Sequence, residues 1–323
     1  MEELVEEVLL RFPPDDPATL FRAALVCKDW RRLVSGAGFR RRLRELHRTP
    51  PLLGFLFSVG RFPCGVHEST RFVPTSAFRP PHAIVPTWRP LDALHGRILF
   101  CDTDATACWY TRRELIVWNP IDGEVRRLPM SPLFMDTWGA ALLCVAAGCD
   151  GHLDRVPFRV AVVATEPFDG LTSACVYSSE QDAWGQPVSV QLPGVGAIRG
   201  PGALVGDALH FLCIPKAILK LDLGKKKLSV IGLPSSCKDS AIVLMRTEGG
   251  KLGFTMVQGS KLCLWSDDAS RDGDVRWTQQ RVIELDKLLP GCDLSVKHRV
   301  SAIADSIGVI LIHIYLMGTS LLI

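Results

Sequence analysis

Metal chemistry is the first possibility that the sequence raises. The stretch "CVAAGCDGH" holds Cys144, Cys149 and His152, three side chains of the kinds that bind tetrahedral zinc. A fourth ligand would have to come from elsewhere, and Cys144 closes an apolar run that reads as a strand, so a structural reading is preferred. Cys27, in "ALVCKDWRRLV", has no second Cys or His at ligand spacing nearby. The glycines of "LPGVGAIRGPG" (Gly194, Gly196 and Gly200) miss the G-x-G-x-x-G spacing, and no helix follows to meet a phosphate. Lys225, Lys226 and Lys227 read as a solvated hairpin tip. Nothing resembles a nucleophile elbow, a zinc-binding helix or a phosphate-binding lysine loop. No catalytic residue, metal or cofactor is expected.

Nucleic-acid binding is the next possibility. Arg40, Arg41, Arg42 and Arg44 follow Lys28, Arg31 and Arg32 and could meet phosphates. Yet the formal net charge of the 323-residue chain is only +3, and the third apolar segment offers no polar face for base edges. A solvated basic face is the better reading, and no nucleic-acid partner is expected. The eleven cysteines are scattered without a framework, which suits free thiols and a cytosolic or nuclear protein. The acidic start "MEELVEEVLL" lacks the basic and apolar regions of a secretory signal.

The first fifty residues read as short helices. Leu4, Val5, Val8, Leu9 and Phe12 recur at helical spacing among Glu2, Glu3, Glu6 and Glu7, until "RFPPDDP" stops the helix. Asp16 and Pro17 read as the cap and first turn of a second helix, with Leu20, Phe21, Ala24 and Leu25 on its apolar side. Val26, Trp30 and Leu33 form the stripe of a third, with Cys27 and Val34 beside it. A last helix, "FRRRLRELH", turns Phe39, Leu43 and Leu46 inward. Such helices are too few to enclose a core alone.

From "TPPLLGFLF" onward the helical period disappears. Short apolar or alternating runs separated by Gly, Pro and Asp take over, as in all-β proteins. Units such as "GRILFCD…ELIVWNPIDGEVRRLP" and "GALVGDALHFLCI…AILKLDLGKKKLSVIGLP" recur at roughly forty to fifty residues, the spacing of propeller blades, and each closes at Leu-Pro. A β-sandwich is the alternative. In the tail, "GVILIHI" reads as a strand opening a last, incomplete blade. The apolar run from Ile307 to Ile323 reaches only the lower limit for a membrane span, so a membrane role is disfavoured.

The segment "LVEEVLLRFPPDDPATLFRAALVCKDWRRLVSGAGFRRRLRELH" resembles an F-box of the large, grass-type plant families, through "FPPDD", "LVCKDWRRLV" and the following "FRRR" helix. It lacks the usual Leu-Pro opening, where Met1 stands. "LIVWNPIDGEVRRLP" is similar to a phrase of the C-terminal β-propeller-like region of such proteins. The resemblance implies a multidomain α+β chain: a helical F-box over 1–48 and an all-β, propeller-like (kelch-like) domain over 49–323. It implies a non-enzymatic substrate receptor of a Skp-cullin-F-box ubiquitin ligase. The F-box would dock a Skp-type adaptor, and through it a cullin scaffold, while the β domain holds an unknown target protein. The expected adaptor-binding residues are Leu4, Val8, Leu9, Phe12, Pro14, Leu20, Val26, Cys27, Trp30 and Leu33. The alternatives are a ligand-binding propeller and a DNA-binding regulator.

Overall fold

The computed structural model describes residues 2–13, 17–47, 52–61, 66–75, 78–80, 84–85, 87–102, 114–121, 123–133, 137–144, 157–166, 169–193, 195–196, 198–214, 217–237, 242–269, 275–288, 298–304, 309–314 and 319–322. Two compact units divide the chain. One comprises residues 1–128 and 144–157, the other 129–143 and 158–323. The division falls within the β region, whereas the change from helix to strand lies between His47 and Gly54.

The first unit opens with α1 (Glu2–Leu10), α2 (Pro17–Val26), α3 (Lys28–Ser35) and α4 (Ala37–His47). Proline begins α2, where its missing N–H costs nothing. The expected third helix starts later than its apolar stripe suggests. Cys27 is extended (φ −157°, ψ 168°), so Val26 ends α2 instead of joining Trp30 on α3. Two sheets follow in this unit: β1 (Gly54–Arg61) with β2 (Val66–Pro74), then a meander of β3 (Trp88–Leu94), β4 (Arg97–Asp102), β5 (Leu115–Trp118) and β6 (Val125–Arg127). His95 and Gly96, both at positive φ, form the two-residue loop between β3 and β4. The "WNPIDG" phrase is the β5–β6 hairpin. The Asn119 side chain accepts from the Ile121 N–H at 3.0 Å, and the Asn119 N–H donates to the Glu124 carbonyl at 2.9 Å. Gly123 sits at φ 81°, where a side chain would be strained. Trp88, Phe100 and Trp118 pack in sequence along the buried face, with centroids 5.5 and 6.0 Å apart.

Among the described residues the second unit contains four sheets. The first holds β7 (Thr137–Cys144), β8 (Phe158–Thr165), β9 (Leu171–Ser178), β10 (Ala183–Trp184) and β11 (Val188–Gln191). β10 and β11 pair with successive parts of β9, so they are one outer strand interrupted at Pro187, which has no N–H to give. Next come β12 (Ile198–Val205), β13 (Ala208–Cys213), β14 (Ala217–Asp222) and β15 (Lys227–Gly232), then β16 (Ile242–Arg246), β17 (Leu252–Gln258), β18 (Lys261–Ala269) and β19 (Val275–Glu284). A short α5 (Leu285–Leu288) precedes the last sheet of β20 (His298–Ala304), β21 (Val309–Ile314) and β22 (Thr319–Leu322). "GVILIHI" is therefore the middle strand of a three-stranded sheet, where the sequence suggested an opening strand. Its partner β20 lies in a stretch whose His and Arg obscure the alternation.

The Leu-Pro repeat has a structural explanation. Leu233 packs into the core cluster built on Phe254 and Met256 of the following sheet. Trp277, on the outer strand of that sheet, packs edge-on to Phe254 at 4.9 Å and donates its indole N–H to the Gly232 carbonyl at 2.8 Å. Trp184 does the same earlier, packing on Tyr177 and donating to the Pro129 carbonyl at 2.7 Å. Each such outer-strand tryptophan holds the backbone at the preceding Leu-Pro phrase, at Pro129 in one case and at Gly232, just before Leu233, in the other.

Two outcomes follow for stability. Trp277→Phe keeps the ring packing but leaves a carbonyl without its donor, and should cost about 1 kcal/mol in denaturant unfolding of the full chain. His210 is buried and donates from Nδ1 to the Ala203 carbonyl at 3.3 Å, with Lys220 opposite in register. Burial pulls its pKa down from 6.5 to about 4, against the Ala203 hydrogen bond and with help from the Lys220 charge. Between those values the unfolded chain binds the proton and the folded chain does not. Stability contributed by neutral His210 is thus complete above pH 6.5 and falls as the pH drops towards 4, by on the order of 3 kcal/mol. Unfolding midpoints measured from pH 4 to 7 should show this slope, and His210→Gln should flatten it.

Candidate adaptor interface

The four N-terminal helices enclose a small core of their own, where the sequence suggested that they were too few to do so. Leu9, Leu10, Ala23 and Phe39 are buried, and Val5, Phe12, Leu20, Trp30, Leu33, Val34 and Leu43 pack around them partly covered. Local hydrogen bonds set the joints. The Cys27 Sγ accepts from the Trp30 N–H at 3.5 Å and so caps α3, a role Ser or Asp more often fills. At the other end of α3, the Gly36 N–H donates to the Leu33 carbonyl at 3.0 Å. Leu33 and Trp30 lie at i and i+3, which turns both towards the core.

This core leaves other apolar side chains uncovered. Leu4 is 71% exposed and Val8 55%, one turn apart on α1. Leu25 is 84% exposed and Val26 65%, at the end of α2 next to exposed Cys27. With Leu46 of α4, these are the most exposed of the large apolar side chains among the described residues, and all four lie on α1 and α2.

The expected adaptor-binding residues thus divide. Leu4, Val8, Val26 and Cys27 lie at the surface. Phe12, Leu20, Trp30 and Leu33 are half-buried walls of the helical core. Leu9 is a correction: it is wholly buried at the centre of the core and has no surface to offer a partner. Periodicity identifies an apolar stripe, but not which edge of it faces inward. Pro14 lies outside the described residues. Leu25 and Leu46, expected to face inward, are both exposed. Leu25 is the surface residue that the sequence reading missed.

Ion pairs occupy part of the basic run. Arg42 lies 3.0 Å from Glu6 and 3.2 Å from Glu7, Arg41 is 3.8 Å from Glu45, and Arg32 is 3.6 Å from Asp29. These pairs divert guanidinium groups from the phosphate contacts a DNA-binding surface needs. In the β region, burial pushes the Cys175 and Cys213 thiols up to about 11, which leaves little thiolate for nucleophilic chemistry at neutral pH. Cys144 is paired in a disulfide, so it offers no thiolate to zinc, and the expectation that all eleven cysteines are free does not hold for it. Cys149 and His152 lie outside the described residues. Among the described residues no cluster of three metal-binding side chains occurs, and no helix is long and apolar enough to cross a membrane.

Sequence comparison decides the family. The profile described as "F-box protein AT5G49610-like, beta-propeller" matches residues 96–315, more than half of the chain. This protein belongs to the AT5G49610-like F-box proteins. The F-box domain itself matches residues 2–42, over α1, α2, α3 and the first half of α4. The architecture is therefore a short helical F-box followed by an all-β, propeller-like domain of antiparallel meanders. No curated protein matches the chain.

Among solved structures, the chain is similar to BBS1N in complex with ARL6DN at 12% identity and TM-score 0.39, covering 82% of this chain and 76% of that one. A chain of the mitotic checkpoint complex matches at 12% identity and TM-score 0.37, covering 83% and 73%. The GH43 protein BlXynB from Bacillus licheniformis matches at 9% identity and TM-score 0.38, covering 73% of this chain and 51% of that one. At these scores the likenesses carry no argument about activity.

The division between core and surface can be checked by thermal unfolding. Leu9→Ala in the full chain should destabilise the F-box by about 2–4 kcal/mol through the cavity it opens. Leu25→Ala should change it by less than about 0.5 kcal/mol. Hydrogen exchange of the α1–α4 amides reads both, separately from the β region.

Proposed function

We propose that this F-box protein is the substrate-receptor subunit of a Skp-cullin-F-box ubiquitin ligase, in a plant, acting in the cytoplasm or nucleus. The F-box docks a Skp-type adaptor, the adaptor joins a cullin scaffold, and the propeller-like domain holds the target protein. The chain itself performs no bond-making step. Its contribution is effective concentration: tethering a target near a charged ubiquitin-carrying enzyme turns a bimolecular encounter into a nearly intramolecular one.

The observation that supports this reading most is the combination of the F-box match with the uncovered apolar side chains on that same segment. Leu4, Val8, Leu25 and Val26 contribute little to the fold where they stand, yet burying each against a partner is worth roughly 1.5–3 kcal/mol. In this assignment those four residues and Cys27 make the direct contacts. Trp30, Phe12, Leu20 and Leu33 shape the surface from behind, each with its own partial exposure. Pro14 belongs with them on sequence grounds alone.

Co-purification with a plant Skp-type adaptor is the test. The full chain should retain it, and Val8→Asp or Leu25→Asp should weaken binding by about ten-fold or more, a loss of about 1.4 kcal/mol, without lowering the unfolding midpoint. Trp30→Ala should weaken binding and destabilise the F-box together. Retention of full affinity by both aspartate variants would contradict the assigned surface, and absence of binding by the native chain would contradict the function.

A further inference from the structure

Helix α1 has nine residues, too few to be stable by itself, so its position depends on what holds it to α4. Apolar contact accounts for part of the hold: Leu9 and Leu10 enter the core beside Phe39, and Val5 packs against it partly covered. The rest of the contact is polar. One guanidinium, Arg42 on α4, reaches two successive carboxylates of α1, with Nη1 3.0 Å from Glu6 Oε1 and Nη2 3.2 Å from Glu7 Oε2. Glu7 is held from its other oxygen by Arg11 at 3.1 Å. At the end of α4, His47 Nε2 donates to the Leu10 carbonyl at 2.8 Å, satisfying one of the acceptors that the last turn of α1 leaves open.

These contacts fix the roll of α1 about its own axis. Successive residues are about 100° apart around a helix, which places Leu4 and Val8 roughly 160° from Glu6. A helix held only by the non-directional apolar contacts of Val5, Leu9 and Leu10 could rotate about its axis with modest change in buried area. Rotation would turn the Leu4–Val8 edge away from its outward setting. A two-pronged guanidinium bound to neighbouring carboxylates resists that rotation, because they lie on different sides of the helix and cannot both follow it.

We propose that Arg42 is a positioning residue for adaptor docking, which through Glu6 and Glu7 sets the orientation of the Leu4–Val8 edge. The inference rests on the docking function proposed above and adds to it a residue remote from the contact surface. It makes docking dependent on ionic strength through pairs within the F-box itself. All three side chains are partly exposed, so salt weakens them.

The test uses the full chain and a purified Skp-type adaptor at low salt. Arg42→Glu should lower affinity by about ten-fold and speed amide exchange in α1, since it replaces two attractions by repulsions. The variant Glu6→Arg/Glu7→Arg/Arg11→Glu/Arg42→Glu reverses the whole network, the Arg11–Glu7 pair included, and should recover affinity to within about three-fold of native. In a Val8→Ala background, Arg42→Glu should cost much less, because the edge that it positions has already been truncated. A residue that merely stabilises the fold would cost the same in both backgrounds, and that result would overturn the proposal. So would an Arg42→Glu variant of native affinity, or a charge reversal that fails to restore binding. A native chain that does not bind the adaptor would instead overturn the docking function, and the positioning role with it.

Discussion

Four short helices around Leu9, Leu10, Ala23 and Phe39 cannot cover all of their own apolar side chains, and the account of the F-box depends on that shortfall. Leu9, Leu10, Ala23 and Phe39 occupy the interior, while Leu4, Val8, Leu25 and Val26 stay in water. Exposure of that kind is tolerated where a partner relieves it. The same smallness explains the polar joints: Cys27 caps α3, His47 takes up the Leu10 carbonyl, and Arg42 ties α4 to α1. With so little apolar area to bury, orientation passes to groups with directional bonds.

The β region meets its requirements by repetition. Two of the meanders bury an aromatic pair, Phe100 with Trp118 in one and Phe254 with Trp265 in the other. The Leu-Pro phrases end outer strands, and the indole N–H groups of Trp184 and Trp277 hold the segments around two of them. A scaffold built from such repeated contacts can change its loops without changing its core.

Much of this was legible in the residues. Pro17 marks a helix start, "WNPIDG" marks a hairpin because only glycine is comfortable at the φ of residue 123, and the Leu-Pro spacing marks successive sheets. What escaped the sequence is tertiary. Leu9 and Val8 are equally apolar neighbours, and only the packing of the other helices decides that one is buried and the other exposed. Val26 continues the Trp30–Leu33 stripe in sequence, but the extended backbone at Cys27 places it on another helix. Arg42 read as part of a solvated basic run because its partners lie 35 and 36 positions earlier, beyond any local pattern. The β20 and β21 pairing was missed for a related reason, since the strand order of a sheet is not written in its alternation.

Hydrogen exchange of the full chain, alone and saturated with a Skp-type adaptor, tests the central claim most directly. The account predicts that the adaptor slows exchange in α1 and at the α2–α3 junction around Leu25 to Lys28, and leaves residues 96–315 unchanged. Protection confined to the β region, with α1 and α2 exchanging as in the free chain, would contradict it.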